Sequence, residues 1–260
     1  MGGAGHGPTE TDHVTAVRIA TSIGRTLPGL RRQLVAEGVT GTDLGTAGDR
    51  FAQATLEHLL VDLNIADAVL SEEASDDRSR LSSTRVWVID PLDGTREFTD
   101  PQRIDWAVHV ALVINGEPSA AAVHLPEPDV VLSTSEPVPC PSLPTSRPLR
   151  IVVSRTRPPR LAPALATHLD AEIVTMGSAG AKAAEVMSGQ AEIYLHDDGM
   201  NEWDACAPAA VAAAAGLHSS GLDGRPLAFN KPDPKIGSLL ICHPDLADQV
   251  LEFMQTEIET

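Results

Sequence analysis

Asp90 and Asp93 stand three residues apart in WVIDPLDGTREF (87–98), where a strand-forming run ends in two acids and a chain reversal. Pro91 fixes its own φ and pushes Asp90 toward an extended backbone, while Gly94 lets the chain turn back. The two carboxylates then converge. Converging carboxylates repel unless a cation lies between them, and hard oxygen donors suit Mg²⁺. The carbonyl of Leu92 adds an oxygen ligand, and two such ions about 4 Å apart clamp the attacking and leaving oxygens of a phosphoryl transfer. If Gly94, Thr95 and Arg96 open a short helix, their N–H groups and its positive end form an anion site. The Thr95 hydroxyl then orients the attacking water.

Further acids sit at element boundaries: Glu72 and Glu73 after AVLS, and Asp204 in NEWDACAP. Each has an ordinary explanation by itself, because Asp, Pro and Gly build turns, a Glu pair solvates a strand end, and Asp caps helices. Their combination is what points to a metal site.

Nineteen Lys and Arg against thirty-six Asp and Glu give a net charge of −17, which repels polyphosphate chains and argues against long nucleic acid as a partner. A small anionic substrate is compatible if divalent cations reverse the local sign. Cys140, Cys206 and Cys242 are far apart without CxxC spacing, so neither a disulfide framework nor a zinc knuckle is indicated. No apolar run reaches ~18 residues and the start MGGAGHGPTETDHV lacks a leader pattern, so a cytoplasmic protein with a short flexible N-terminus and no membrane partner is expected.

The elements that must position these acids follow from periodicity. A helix is expected from Asp12 to about Ala36 with a kink at Pro28, and another from Asp49 to about Leu63. The Gly- and Thr-rich GVTGTDLGTAGD between them reads as a mobile loop. Strands are expected in DAVLSEE, RVWVIDPLDG, WAVHVALVI, SAAAVHL and DVVLSTS. Five prolines in SEPVPCPSLPTSRP (135–148) mark a linker. The expected division is an N-terminal α+β half over 1–136, a linker over 137–148, and a C-terminal α/β half over 149–260. After the linker, LRIVVS, a helix near 158–168, AEIVTM, a helix from Ser178 to about Ser188, AEIYLH and an Ala-rich helix after Trp203 alternate strand with helix. SLLICHP and a last helix from about Asp245 close the chain.

The order SEE (71–73), WVIDPLDGTREF (87–98) and WDACAP (203–208) resembles the inositol monophosphatase superfamily of Mg²⁺-dependent, usually lithium-sensitive phosphatases. The resemblance implies a layered α-β-α-β-α sugar-phosphatase fold of mixed α/β (α+β) class in two halves, with the site between them. It implies metal ligation by Glu72, Asp90, Leu92 through its carbonyl, Asp93 and Asp204. It gives Thr95 the water-orienting role, with Glu72 helping to activate the water and Asp49 hydrogen-bonding the threonine. VLSEE and GSAGAK (177–182) look more like the CysQ-type 3'(2'),5'-bisphosphate nucleotidases, a branch tied to sulfur metabolism. In that branch Ser178 and Lys182 would lie near the nucleotide and Glu202 near sugar hydroxyls. Here the family's D-x-S-P-V-T-x-A-D segment reads TGTDLGTAGD without the Ser-Pro pair, which bears on loop closure and on whether two or three ions bind.

The expected function is hydrolysis of 3'-phosphoadenosine 5'-phosphate to AMP and phosphate by a metal-activated water. Inositol-1-phosphate and fructose-1,6-bisphosphate are the alternative substrates, and a non-catalytic nucleotide or metal sensor is the alternative of another class. Li⁺ inhibition and Ca²⁺ competition follow from the resemblance, as does a monomeric or homodimeric state. His109 in the alternating DWAVHVAL reads as a buried, hydrogen-bonded histidine, and Asp105 as a strand-start turn residue or a neighbour of the phosphate.

Overall fold

Alternation along β2 (Arg85–Asp93) decides the layering, because Trp87 and Ile89 enter one apolar cluster while Val86 and Val88 enter another. A computed structural model describes residues 7–258, so the expected flexible N-terminus lies in part outside the described residues. The helices are α1 (Glu10–Gly24), α2 (Leu27–Ala36), α3 (Gly41–Asp62), α4 (Thr95–Phe98), α5 (Ala162–Leu169), α6 (Ala179–Met187), α7 (Glu202–Ala214) and α8 (Ala247–Ile258).

The first sheet runs β1-β2-β3-β4-β5, from β1 (Ala68–Ser71) through β2, β3 (Ala107–Ile114) and β4 (Glu117–Leu125) to β5 (Val130–Ser133). Only β1 and β2 are parallel in it. The second uses β6 (Leu149–Ser154), β7 (Ala171–Met176), β8 (Ile193–His196), β10 (His218–Ser220) and β12 (Leu239–Cys242), in the order β10-β12-β8-β6-β7. A small ladder joins β9 (Met200–Asn201) to β11 (Lys235–Ile236).

Three apolar clusters fill the gaps between layers. Ile19 of α1 and Leu44 and Leu56 of α3 pack on the Trp87 face of the first sheet. Val186 of α6 and Val211 of α7 lie between the two sheets, meeting Val88 on one side and Val152 and Ile241 on the other. Leu165 of α5 and Val250 of α8 cover Ile151 and Val153 on the far face. The order is α-β-α-β-α, as expected.

Two local expectations are corrected. The helix anticipated over 12–36 is two helices, and Pro28 sits in the first turn of α2, where its missing N–H costs nothing. The segment 41–49, anticipated as a loop, is the first two turns of the 22-residue α3. Its glycines serve close approach. A Cβ on Gly45 would lie 2.8 Å from the Thr95 methyl, and one on Gly48 2.6 Å from the Phe98 ring. Residues 134–148 carry neither helix nor strand.

Candidate active site

Residues three apart in an unbroken strand face opposite sides, so Asp90 and Asp93 need a break in register to share one. β2 supplies it: Asp90 pairs with His109 and Asp93 with Ala107, leaving one extra residue in β2 between them. Pro91 is tolerated at such an irregularity because it has no N–H to lose. Asp90 Oδ1 accepts a bond from Leu92 N at 3.0 Å, which folds the bulge onto its own carboxylate. Gly94 follows at φ 91°, and a Cβ there would stand 3.1 Å from Trp106 Cβ, so both conformation and space require glycine.

Asp204 comes from the opposite layer, in the first turn of α7, where its Oδ2 accepts from Asn201 N at 2.7 Å. Pro208 lies inside α7 and cannot donate to the carbonyl four residues before it, that of Asp204. Carboxylate oxygens of Asp90, Asp93 and Asp204 lie within 4.8 Å of one another. Glu72, just past β1, extends the parallel ladder through its N–H to Ile89 O at 3.2 Å. Its carboxyl reaches that of Asp90.

Crowding shows in the acidities. Burial first, and then Glu72 and Asp93, push Asp90 well above the carboxylate range. Burial and Asp204 raise Glu72 in the same way, and burial with Asp93 pushes Asp204 up to about 7. Asp90 Oδ2 is buried with no hydrogen-bond donor. Hard oxygens packed together with one left unsatisfied fit a divalent cation.

Beside the cluster, Thr95 Oγ1 donates to Asp49 Oδ1 at 3.0 Å. Asp49 is pushed up to about 6, mainly by burial and also by Glu73.

The GSAGAK segment, expected near the nucleotide, makes its hydrogen bonds to Asp93 and Asp105. Ser178 caps α6, its Oγ accepting from Ala181 N at 3.1 Å. The same hydroxyl, Ala179 N at 2.6 Å and Gly180 N at 3.2 Å all donate to Asp93 Oδ2. Gly177 N donates to Asp105 Oδ2 at 2.7 Å, and Ser178 N to Asp105 O at 3.1 Å. The N-terminus of α6 is therefore a socket for acids of the first sheet. Asp105 is also paired with Arg103. Lys182 is only 2% exposed rather than solvated, bonded to Gly177 O and to Ser178 O at 2.8 Å, and burial lowers it to about 8.

Glu202 lies apart from these groups. It is fully buried, and its two oxygens accept from Asn230 N at 2.6 Å and Lys231 N at 2.9 Å. It pins the 230–231 turn and does not line the cavity over the acids. His109, also fully buried, bonds Trp203 O through Nδ1 at 3.2 Å and sets Nε2 3.2 Å from Asp93 Oδ2, too poorly aligned for a hydrogen bond. A carbonyl only accepts, so Nδ1 carries the proton.

A cavity of about 250 Å³ opens over Glu72, Asp90, Leu92, Asp93, Thr95 and Asp204. A polar chamber of about 50 Å³ lies beside it and shares Asp93 and Asp204. A larger cavity, about 520 Å³, is lined partly by alanines of α7 and holds none of these acids, so chemistry rather than volume marks the site. Ser154, Thr156 and Arg157 line the acidic cavity and were not singled out by sequence. The legible signal was RTRPPR (155–160), a basic run in an acidic chain.

Relatives place this geometry. The 3'-phosphoadenosine 5'-phosphate phosphatase of Mycobacterium bovis is 49% identical over 215 residues, 80% of each chain. That of Mycobacterium leprae is 44% identical over 252 residues, 93% of this chain and 92% of its own. The crystal structure of CysQ from Bacteroides thetaiotaomicron superposes with a TM-score of 0.76 at 22% identity, covering 90% of this chain and 97% of that one. The profile of the inositol monophosphatase family spans residues 9–258, and with the acid cluster lying between its two sheets the chain belongs to that family.

Proposed function

We propose that this phosphoric monoester hydrolase acts on 3'-phosphoadenosine 5'-phosphate, releasing AMP and phosphate, with two Mg²⁺ ions as cofactor. The observation that carries the chemistry is the cluster of buried Asp90 with half-buried Asp93 and Asp204, Asp90 Oδ2 lacking any donor. The substrate assignment is supported by the two mycobacterial relatives. Asp90, which meets both Glu72 and the other two aspartates, would hold the cations together with them, and the Leu92 carbonyl lines the same cavity. When bound, the metal supplies charge neutralisation and Lewis-acid activation of the attacking water.

The chain's own residues orient that water. With its proton committed to Asp49, Thr95 Oγ1 is left as an acceptor and can fix the direction of one water O–H. Thr95→Ala is expected to lower kcat by about a hundredfold or more, with Thr95→Ser retaining most of the rate. Equal losses in both variants would remove the hydroxyl from the mechanism. The proposed division at residues 137–148 is supported by one sheet ending before that stretch and the other beginning after it. A cytoplasmic location belongs to the same reading; among the described residues no helix is long and apolar enough to cross a membrane.

Metal removal has a signed consequence for stability. Glu72 and Asp204 are raised, so the metal-free fold holds protons that the unfolded chain releases, and stability falls as pH rises through their folded values. His109 acts oppositely, being lowered by burial, but only below its ordinary value of 6.5. In chelator, Tm is therefore expected to fall between pH 6.5 and 8, and Mg²⁺ to raise it more at pH 8 than at pH 6.5. A Tm in chelator that rises across this window would contradict the crowded cluster.

The assignment is tested by phosphate release in Mg²⁺ from 3'-phosphoadenosine 5'-phosphate, adenosine 3'-phosphate, inositol-1-phosphate and fructose-1,6-bisphosphate. The highest kcat/KM is expected for the first. A preference for inositol-1-phosphate would refute it.

A further inference from the structure

The cleft is acidic at its larger end and mixed in charge at the other, where Asp93 and Asp204 face Lys182 and Arg157. Glu72 and Asp90 line only the larger cavity, whereas Lys182 and Tyr194 line only the adjoining chamber. Arg157 borders both. In a chain of net charge −17, residues 155–160 place three arginines in six positions, and each has a different employment. Arg155 is spent on the Glu97 carboxylate. Arg160 anchors the loop through its backbone N–H to Asp197 Oδ2 at 2.9 Å.

Arg157 is held but not consumed. Its backbone N–H donates to Ser154 Oγ at 3.2 Å, and Nη1 donates to Gly199 O at 3.3 Å. Its Nε and Nη2 have no hydrogen-bond partner among the described residues. A guanidinium fixed at one corner, with that edge free, is set up for two parallel bonds to a phosphate. Behind it, Tyr194 Oη is buried without a partner.

We propose that Arg157 recognises the second phosphate of the substrate, the one that is not hydrolysed, and so sets the preference for bisphosphorylated over monophosphorylated nucleotides. This rests on the bisphosphate reading above. The acidic end accepts a phosphate only with metal, so a second phosphate needs a cation of the protein's own, and Arg157 offers one beside the cluster without touching it.

The test compares kcat/KM of wild type, Arg157→Ala and Arg157→Lys on 3'-phosphoadenosine 5'-phosphate and adenosine 3'-phosphate in Mg²⁺, with thermal melts of each protein. Arg157→Ala is expected to lose about ten- to a hundredfold more on the bisphosphate than on the monophosphate, through KM. Arg157→Lys should recover only part, since one ammonium cannot make the paired bonds. Equal losses on both substrates, or an unchanged preference, would overturn the role of Arg157 while leaving the bisphosphate reading standing. A wild type that itself prefers the monophosphate would overturn that reading and this proposal together.

Discussion

Asp93→Asn is expected to lower kcat by at least about a hundredfold while Tm moves by no more than a few degrees. The argument lies in what surrounds the carboxylate. Asp93 Oδ2 already accepts from the Ser178 hydroxyl, Ala179 N and Gly180 N, and the side chain belongs to the cluster with Asp90 and Asp204. An amide of the same shape has one oxygen. If that oxygen faces α6, the NH₂ points into the cluster and cannot bind a cation. If the amide is flipped, the NH₂ confronts three donors. The first arrangement keeps the fold and loses the metal. Titration calorimetry should therefore show weakened Mg²⁺ binding in parallel with the lost rate. Activity within tenfold of wild type, with metal binding intact, would mean that these acids are not the metal site.

What was legible in the sequence depended on how local its physical cause is. Asp90, Asp93 and Gly94 could be read because Pro91 and the αL glycine constrain the same few bonds that aim the carboxylates. The individual strands and helices could be read because periodicity records which face is buried, whereas their layering followed from the family resemblance. GSAGAK was harder. Its glycines and serine answer to Glu97, Asp93 and His109, which lie some seventy to eighty-five positions earlier, so nothing adjacent shows that the donors of Ser178 and Gly180 are taken by an aspartate.

Gly45 and Gly48 misled in the same way. A glycine-rich stretch has a local preference for turns, but here it lets α3 approach Thr95 and Phe98 closely. Glu202 was grouped with the site by the resemblance to the CysQ-type branch, in which the residue just before the WD motif lies near sugar hydroxyls. Successive positions on a helix project about 100° apart, however, so neighbours in sequence need not share a face. Its carboxylate ends at residues 230 and 231 instead.

Gly180→Ala is expected to destabilise the protein by about 1–3 kcal/mol, a loss of roughly 2–4 °C in Tm for each. The sign is what makes this informative. Gly180 lies inside α6 without a positive φ, so an unhindered alanine there would gain up to ~1 kcal/mol from backbone entropy alone. The added Cβ would instead stand 2.3 Å from His109 Nε2, 2.8 Å from Val123 Cγ1 and 3.0 Å from Ala107 Cβ. His109 is fully buried and tied to Trp203 O, so it cannot swing aside. Helix α6 must then move away from the first sheet, drawing Ala179 N and Gly180 N off Asp93, and kcat should fall along with Tm. The pair His109→Ala and Gly180→Ala separates this steric account from a general weakness of the helix. If the imidazole is the obstacle, the double variant is more stable than the sum of the single losses by about 0.5 kcal/mol or more. Strict additivity would place the strain elsewhere and leave His109 without a part in seating α6 against the acids.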